Sequence, residues 1–306
     1  MKMLVTGGAG FIGSNLVDQL ILENNEVHVI DNFSSGKKEN CNDKAIYHKI
    51  DISNVDSVDK LKKIFKDVDT IFHCAALARV QPSIIDPLTY EINNTLGIMN
   101  VLKSASGANV RRLVYSASSS AYGPTDNLPS KENDPINPIS PYANQKYYGE
   151  LCCKMFSKVY GIETVSLRYF NVYGERQNLG GAYATVVGIF INQLLKSESL
   201  TINGDGNQRR DFTYVGDVVS ANILASSSKK IGKGESINIG SGKNISINEL
   251  AKMIGGSAIH QDPVNEPFAN LADINKAKKL LDWEPLMDLN SWIEKYKNEK
   301  GMKKDE

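Results

Sequence analysis

The sequence predicts an α/β protein: a doubly wound parallel sheet with a smaller carboxyl-terminal α/β region that binds substrate. Three observations carry this. A short apolar run, Met3-Leu4-Val5, leads into the glycine turn Thr6-Gly7-Gly8-Ala9-Gly10-Phe11-Ile12-Gly13 and then into an amphipathic helix pattern through Leu16, Val17, Leu20 and Ile21. Strand-like and helix-like segments then alternate as far as a strand at 163–167. Beyond Arg168-Tyr169-Phe170-Asn171 the long apolar strands give way to short ones among polar loops.

The glycine turn comes first. Gly8-x-Gly10-x-x-Gly13 fits the dinucleotide fingerprint, and Gly7-x-x-Gly10-x-x-Gly13 fits its wider-spaced variant. Glycines permit the tight turn and let backbone approach a pyrophosphate, which rests on the helix N-terminus and its dipole. The second strand, Glu26-Val27-His28-Val29-Ile30, ends in Asp31, at the distance expected of an acid that binds the adenosine ribose 2′-OH. A carboxylate there repels a 2′-phosphate, so the expected cofactor is NAD rather than NADP.

A third strand at 45–50 runs into Asp51-Ile52, and 55–65 reads as helix. Thr70-Ile71-Phe72-His73-Cys74-Ala75-Ala76 is a buried strand entering a small-residue turn, where a cofactor can approach closely. A long helical stretch at 87–105 carries Asn93, which either braces the cofactor region or caps a local turn. Arg111-Arg112-Leu113-Val114-Tyr115-Ser116 is the next strand and ends in Ser118-Ser119-Ser120. After a Pro-, Asn- and Asp-rich loop at 123–141, a helix runs from Tyr142 to about Tyr160. Ligands of doubly wound sheets bind beyond the carboxyl ends of the strands, so the glycine turn, Asp31, Asp51, Ala75-Ala76 and Ser118 should share one crevice.

In Ser140-Pro141-Tyr142-Ala143-Asn144-Gln145-Lys146, Tyr142 and Lys146 stand four residues apart and project from one helix face. A cation beside a phenol favours the phenolate, which makes Tyr142 a candidate acid/base and Lys146 its tuner. Solvated helices carry such pairs too. It is the glycine turn, Asp31 and the Ser118 strand end that place this pair beside a nicotinamide.

In the second region, 174–181 reads as a polar loop, 183–195 as helix, 200–202 as a short strand, and 204–211 as a turn containing Arg209 and Arg210. Residues 236–239 return to the main sheet. The expected division is 1–170 with about 213–240 for a Rossmann-type NAD-binding domain, and 171–212 with 241–306 for the substrate region.

Composition narrows the partners. With 35 Lys+Arg against 35 Asp+Glu there is no global field to draw in nucleic acid or an anionic membrane. Cys41, Cys74, Cys152 and Cys153 form no Cys-x-x-Cys pair and have no histidine cluster nearby, so no metal site is expected and reduced thiols are the simpler reading. His28, His48, His73 and His260 are scattered, and His73 at its strand end reads as structural. Met1-Lys2 leads directly into a strand, so the expectation is a soluble, cytoplasmic protein with no membrane partner.

The order Gly7/Gly10/Gly13, Ser118, Tyr142, Lys146 resembles the short-chain dehydrogenase/reductase superfamily, in its extended branch because a long region follows the Tyr-Lys helix. The resemblance runs from Lys2 to about Trp283. More narrowly the chain resembles NAD-dependent nucleotide-sugar 4-epimerases of the UDP-glucose or UDP-N-acetylglucosamine kind. The segments that carry this are 6–15, 75–83, 116–123, 168–174, 204–214 and 271–277.

The resemblance implies roles for individual residues. Tyr142 takes the sugar 4-OH proton, Lys146 lowers its pKa and bonds the nicotinamide ribose, and Ser118 bridges O4 to Tyr142 while Ser120 touches the sugar. Gly7, Gly10, Phe11, Ile12, Gly13, Asp31, Asn32, Ser35, Gly36, Asp51, Ile52, Ala75, Ala76, Ser116 and Tyr169 line the NAD site. Asn171 contacts the sugar or its diphosphate, Thr185 and Val186 the nucleotide, Thr201 and Asn203 the uracil, and Arg210 a phosphate, for which guanidinium geometry is suited. Arg79 faces the substrate phosphate or a solvated loop. A homodimer through the helices near 87–105 and 142–160 is also implied.

Related activities are set apart by residues. Dehydratases of the branch need an Asp-Glu pair where this chain reads Ser119-Ser120-Ala121-Tyr122, and UDP-glucuronate decarboxylases differ over 77–83. UDP-glucuronate 4-epimerases remain the nearest competitor, and a catalytically silent NAD-binding relative is argued against by the intact Ser118, Tyr142 and Lys146. Two departures stand out. The arginine that usually grips the diphosphate before the Leu-Ala-Asp segment is absent from 262–268, with Arg209 as a possible substitute. Asn270, at a position that gates the sugar pocket, is small enough to favour N-acetylhexosamines.

Overall fold

The computed structural model describes residues 1–181, 184–264 and 266–301. The chain opens with β1 (Lys2–Thr6), α1 (Phe11–Leu22), β2 (Glu26–Asp31), β3 (Ile46–Lys49), α2 (Val58–Ile64) and β4 (Thr70–His73). A short helix α3 (Val80–Ile85) follows, and the long helix expected at 87–105 is broken into α4 (Pro87–Glu91), a π-helical turn (Ile92–Leu96) and α5 (Gly97–Gly107). β5 (Arg112–Ser118), α6 (Pro141–Tyr160) and β6 (Glu163–Tyr169) complete this half.

The second half runs through β7 (Val172–Tyr173), α7 (Val186–Leu195), β8 (Leu200–Asn203), β9 (Arg209–Arg210), β10 (Thr213–Tyr214), α8 (Val215–Ser227) and β11 (Lys233–Ile239). It ends with β12 (Ile245–Ser246), α9 (Ile247–Ile254), β13 (Ala258–Gln261), α10 (Asn275–Leu281) and α11 (Leu289–Glu299).

Seven strands form one sheet in the order β11-β6-β5-β4-β1-β2-β3, and every neighbouring pair is parallel. The chain winds outward from β1 on one side and from β4 on the other, so the order reverses between them. That reversal opens the crevice in which such sheets bind ligands. Parallel strands are covered on both faces, which explains their unbroken apolar runs. One face packs Leu16, Val17 and Leu20 of α1 against Val218 and Ala221 of α8, and the other packs Leu61, Ile98, Leu102 and Phe156 of α2, α5 and α6.

α6 is fixed by its ends and by one ion pair. Ser140 caps it by accepting from Ala143 N at 3.2 Å, Pro141 occupies the first turn, and Gly161 at φ 74° ends it. Within it, Glu150 takes both Arg168 Nε (2.8 Å) and Nη2 (2.7 Å), tying the helix to β6.

Two boundaries differ from the sequence expectation. Residues 275–283, assigned to the substrate region, pack on the core of the main sheet: Ala277, Leu281 and Trp283 are buried in the same core as β1 and α8. Their apolar side chains find cover there that the small region does not offer. α7 starts at Val186 rather than at 183, because Thr185 is extended and its hydroxyl accepts from Gly188 N, making it the N-cap. Tyr183 and the tail at 302–306 lie outside the described residues.

The small region has its own core of Phe190, Leu200, Leu250, Ile254 and Trp292. It carries three two-stranded pairings, β7–β10, β9–β12 and β8–β13. Among the described residues no helix is long and apolar enough to cross a membrane.

Candidate active site

A single cleft of about 840 Å³ runs along the carboxyl ends of the sheet strands and beneath the small region. Apart from Gly8 and Arg209, every residue named above as a candidate for cofactor or substrate lines it, from Gly7 and Asp31 at one end to Thr201, Asn203 and Arg210 at the other. Segments that are far apart in the chain therefore meet in one place.

At the first end, Gly7 stands at φ +71°, and a Cβ on it would lie 2.7 Å from the Ala75 backbone. A Cβ on Gly13 would lie 2.2 Å from Gly7 O. The turn is closed to any side chain, leaving backbone N–H groups facing the cleft at the start of α1, as a pyrophosphate requires. Asp31 stabilises the same turn, since its carboxylate accepts from Ala9 N at 3.0 Å and Phe33 N at 2.8 Å. Asn32 donates to Asp51 at 3.2 Å, so the two acids flank one pocket wall. These features fit a dinucleotide with a free ribose 2′-OH. Among the described residues no group of three or more His, Cys, Asp and Glu could hold a metal.

At the centre, Ser118 accepts from both Ser120 N (3.2 Å) and Ser120 Oγ (2.9 Å), and it shares the cleft wall with Tyr142. Lys146 is buried, with Nζ donating to Ser116 O at 2.8 Å and lying 5.2 Å from the Tyr115 ring centroid. Burial pushes its ammonium down to about 8. His73 lies nearby, held by Thr6 at 2.8 Å and driven down to about 3 by burial, so it stays a neutral wedge. Ser116 Oγ contacts the Tyr169 hydroxyl at 3.2 Å, and Asn222 Nδ2 donates to the same hydroxyl at 2.8 Å.

One expectation needs correction. Without ligands the Tyr142 phenol is raised above its ordinary value, because burial outweighs everything else; Ser118 and then Arg79 oppose it. Lys146 Nζ lies 6.0 Å from the Tyr142 ring centroid. Arg79, with φ +93°, sends its guanidinium across the cleft to donate to Ala184 O.

At the far end, Arg210 pairs with Glu266 at 3.0 Å and donates to the backbone oxygens of Arg209 and Phe268. Glu266 was missed by sequence reasoning, which searched its segment for arginine alone. Arg209 does not replace the absent arginine: it points away and is held by Asn244 and Glu249. Asn171 donates to Asp211 O (2.8 Å) and Asn270 Oδ1 (3.0 Å), and Asn270 Oδ1 also accepts from Asp211 N (2.9 Å). Asn270 is thus a clamp on Asn171 as well as a wall of the cleft. Thr201 is held at both its hydroxyl and its N–H by Gln193. Asn93 lines the cleft, and its amide donates to Thr89 O.

The comparisons with known proteins agree with this geometry. The chain is 44% identical over 97% of its length, and 97% of the relative, to a putative UDP-glucose 4-epimerase of Methanocaldococcus jannaschii. Its fold matches the solved UDP-glucose 4-epimerase of Thermotoga maritima, with UDP-glucose, at a TM-score of 0.92 and 36% identity, covering 98% of this chain and 99% of that one. It also matches a UDP-N-acetylglucosamine 4-epimerase of Methanobrevibacter ruminantium in complex with UDP-N-acetylmuramic acid, at a TM-score of 0.89 and 39% identity, covering 95% of each. The model of the NAD dependent epimerase/dehydratase family matches residues 3–240, and the chain belongs to that family.

Proposed function

We propose that this protein is an NAD-dependent UDP-sugar 4-epimerase that inverts C4 of a UDP-hexose or UDP-N-acetylhexosamine through a 4-keto intermediate. The observation that carries this reading is the convergence of Ser118, Tyr142 and Lys146 on the stretch of cleft between the glycine turn and Arg210. NAD, held by the glycine turn, Asp31 and the Ala75-Ala76 turn, supplies a hydride acceptor that can return the hydride to either face of the sugar. Tyr142 takes the proton from the 4-hydroxyl as C4 is oxidised and gives it back as C4 is reduced. Ser118 bridges O4 and Tyr142, and Lys146 provides positive charge against the cofactor ribose.

The nucleotide end is gripped by Thr185, Val186, Thr201, Asn203 and Arg210, and the sugar end is left room to turn between the two hydride transfers. Arg210 exchanges the Glu266 carboxylate for a diphosphate oxygen when substrate enters. Asn270 leaves space for an N-acetyl group. A second reading, a UDP-glucuronate 4-epimerase, draws on Arg79, because a guanidinium at the sugar end suits a carboxylate.

We place the enzyme in the cytoplasm, where its four free cysteines stay reduced. Its assembly as a homodimer rests on the exposed apolar residues of α4, the π turn and α6.

The test is incubation with UDP-glucose, UDP-N-acetylglucosamine and UDP-glucuronate separately, followed by NMR. The expected result is conversion of at least one to its C4 epimer by the wild type. Tyr142→Phe should abolish turnover while NAD remains bound. Undiminished conversion by that variant, or decarboxylated product, overturns the reading.

A further inference from the structure

An ammonium has three N–H groups to satisfy, and burial makes each of them count. Lys146 is buried, and its Nζ donates to a single oxygen among the described residues, Ser116 O at 2.8 Å. The rest of its surroundings are aromatic. Nζ lies 5.2 Å from the Tyr115 ring centroid and 6.0 Å from that of Tyr142, within the range at which a ring face attracts a cation. Tyr142 lines the cleft, whereas Tyr115 is buried behind it.

Tyr115 is fixed from two sides. On the sheet it stands directly opposite His73 of β4, and the two rings stack at 5.8 Å and 18°. His73 is held in turn by Thr6, whose hydroxyl meets Nδ1 at 2.8 Å and accepts from Ala75 N at 3.3 Å. Burial drives His73 down to about 3, so the ring behind Tyr115 is neutral and adds no charge to repel the lysine. On the α6 side the Tyr115 hydroxyl donates to Lys146 O at 3.4 Å. Gly149, one turn beyond Lys146, opens the space for this contact. A Cβ there would lie 2.7 Å from Tyr115 Cε1 and closer still to the hydroxyl. Glycine weakens the interior of a helix, and here it makes room for one ring.

We propose that Tyr115 is a positioning residue whose ring face, backed by His73, seats the Lys146 ammonium where β5 meets the cleft. This rests on the reading of Lys146 as the charge set against the cofactor ribose. A lysine stem is flexible, and the carbonyl of Ser116 together with the ring face gives its head one place to stay. The other titratable groups around the pair are Tyr142, Cys74 and His73 at Lys146, and Cys152, Cys153 and Glu150 at Tyr115. Burial pushes all three thiols up, so they are neutral, and Glu150 is taken by Arg168 at 2.7 Å. The Tyr115 face favours the charged lysine, so weakening that face moves Lys146 ionisation to lower pH.

The test uses NAD-bound protein with its lysines isotopically labelled at Cε, followed by NMR against pH without substrate. Lys146→Met identifies the signal that belongs to Lys146. Tyr115→Phe keeps the ring face and should titrate with the wild type. Pentafluorophenylalanine incorporated at position 115 keeps the outline of the ring but makes its face electron-poor, and should titrate about one pH unit lower. Tyr115→Leu should move at least as far. The alkaline limb of kcat for the best UDP-sugar should move down with the titration, with little change in KM.

A fluorinated ring that titrates with the wild type, or a Tyr115→Phe protein that already titrates with Tyr115→Leu, overturns the proposal. If Tyr115→Leu does not fold, the fluorinated ring, which alters charge distribution and not shape, decides it. If the wild type epimerises no UDP-sugar, the lysine titration still decides the seat, and only the epimerase reading falls.

Discussion

Lys146 carries its charge on a buried side chain, and the cost of doing so is measurable. Its Nζ has one carbonyl, Ser116 O, and the rings of Tyr115 and Tyr142, and burial lowers its pKa from the usual lysine range to about 8. The unfolded chain thus holds this proton more tightly than the folded one. Below pH 8 the ammonium is present in both states, and folding bears a penalty of roughly 3 kcal/mol. As pH rises from 8 towards 10.5 the folded lysine is neutral while the unfolded one loses its proton, and the penalty fades. Lys146→Met in the NAD-free protein should therefore melt at a higher temperature than wild type at pH 7, with the gap closing as pH approaches 10.5, while epimerisation is lost. Equal or lower melting temperature at pH 7, measured by calorimetry, would show that the lysine is paid for by contacts the methionine cannot replace. Stability is given up here for chemistry, the pattern expected where a charge is kept for function.

The elements that make the cleft divide into those legible from local sequence and those that depend on remote packing. The turn between β1 and α1 is of the first kind, because Gly7, Gly10 and Gly13 answer to sterics within eight residues of one another. Gly13→Ala would put a Cβ 2.2 Å from Gly7 O, and the two segments could not keep their approach. We expect that variant to purify without NAD and to lose about 1–3 kcal/mol of stability, checked by the absorbance of released cofactor and by urea denaturation. A normal NAD content would contradict the turn's assigned role. Asp31, Ser118, Tyr142 and Lys146 were legible for a similar reason, each marked by a strand end or a helical spacing. The π turn was not, since 87–105 reads as one helix until Asn94 is required to reach Leu77. Nor was the contact of His28 with His48 at 3.0 Å, which exists only because β2 and β3 pair. Arg210 was placed correctly in the cleft, but its partner Glu266 lies far along the chain in a segment without periodicity. α10 packs on the core of the main sheet, and its seven residues carry too little pattern to say in advance which core they join.

On the scale of the whole molecule, the balance of 35 basic and 35 acidic residues leaves shape and apolar surface to decide assembly. One face does not suit a monomer. Leu88, Ile92 and Leu96 are exposed at four-residue spacing along α4 and the π turn, and Ile85, 84% exposed, stands just before them. On α6, which packs alongside them, Tyr148, Leu151, Met155 and Val159 are exposed at helical spacing. Two apolar helices side by side on one copy would form half of a four-helix bundle if a second copy, related by a two-fold axis, presented the other half. The same α6 holds Tyr142 and Lys146 in its first two turns, so pairing would brace both active sites through their catalytic helices. Wild type should sediment as a dimer, and Leu88→Lys with Leu151→Lys should sediment as a monomer. Both positions are exposed on the single chain, so the doubly substituted protein should still fold and keep NAD, and its melting temperature should become independent of concentration while that of wild type rises with it. A monomeric wild type, or a variant that remains dimeric, would assign this face to a different partner and take the helices out of the interface.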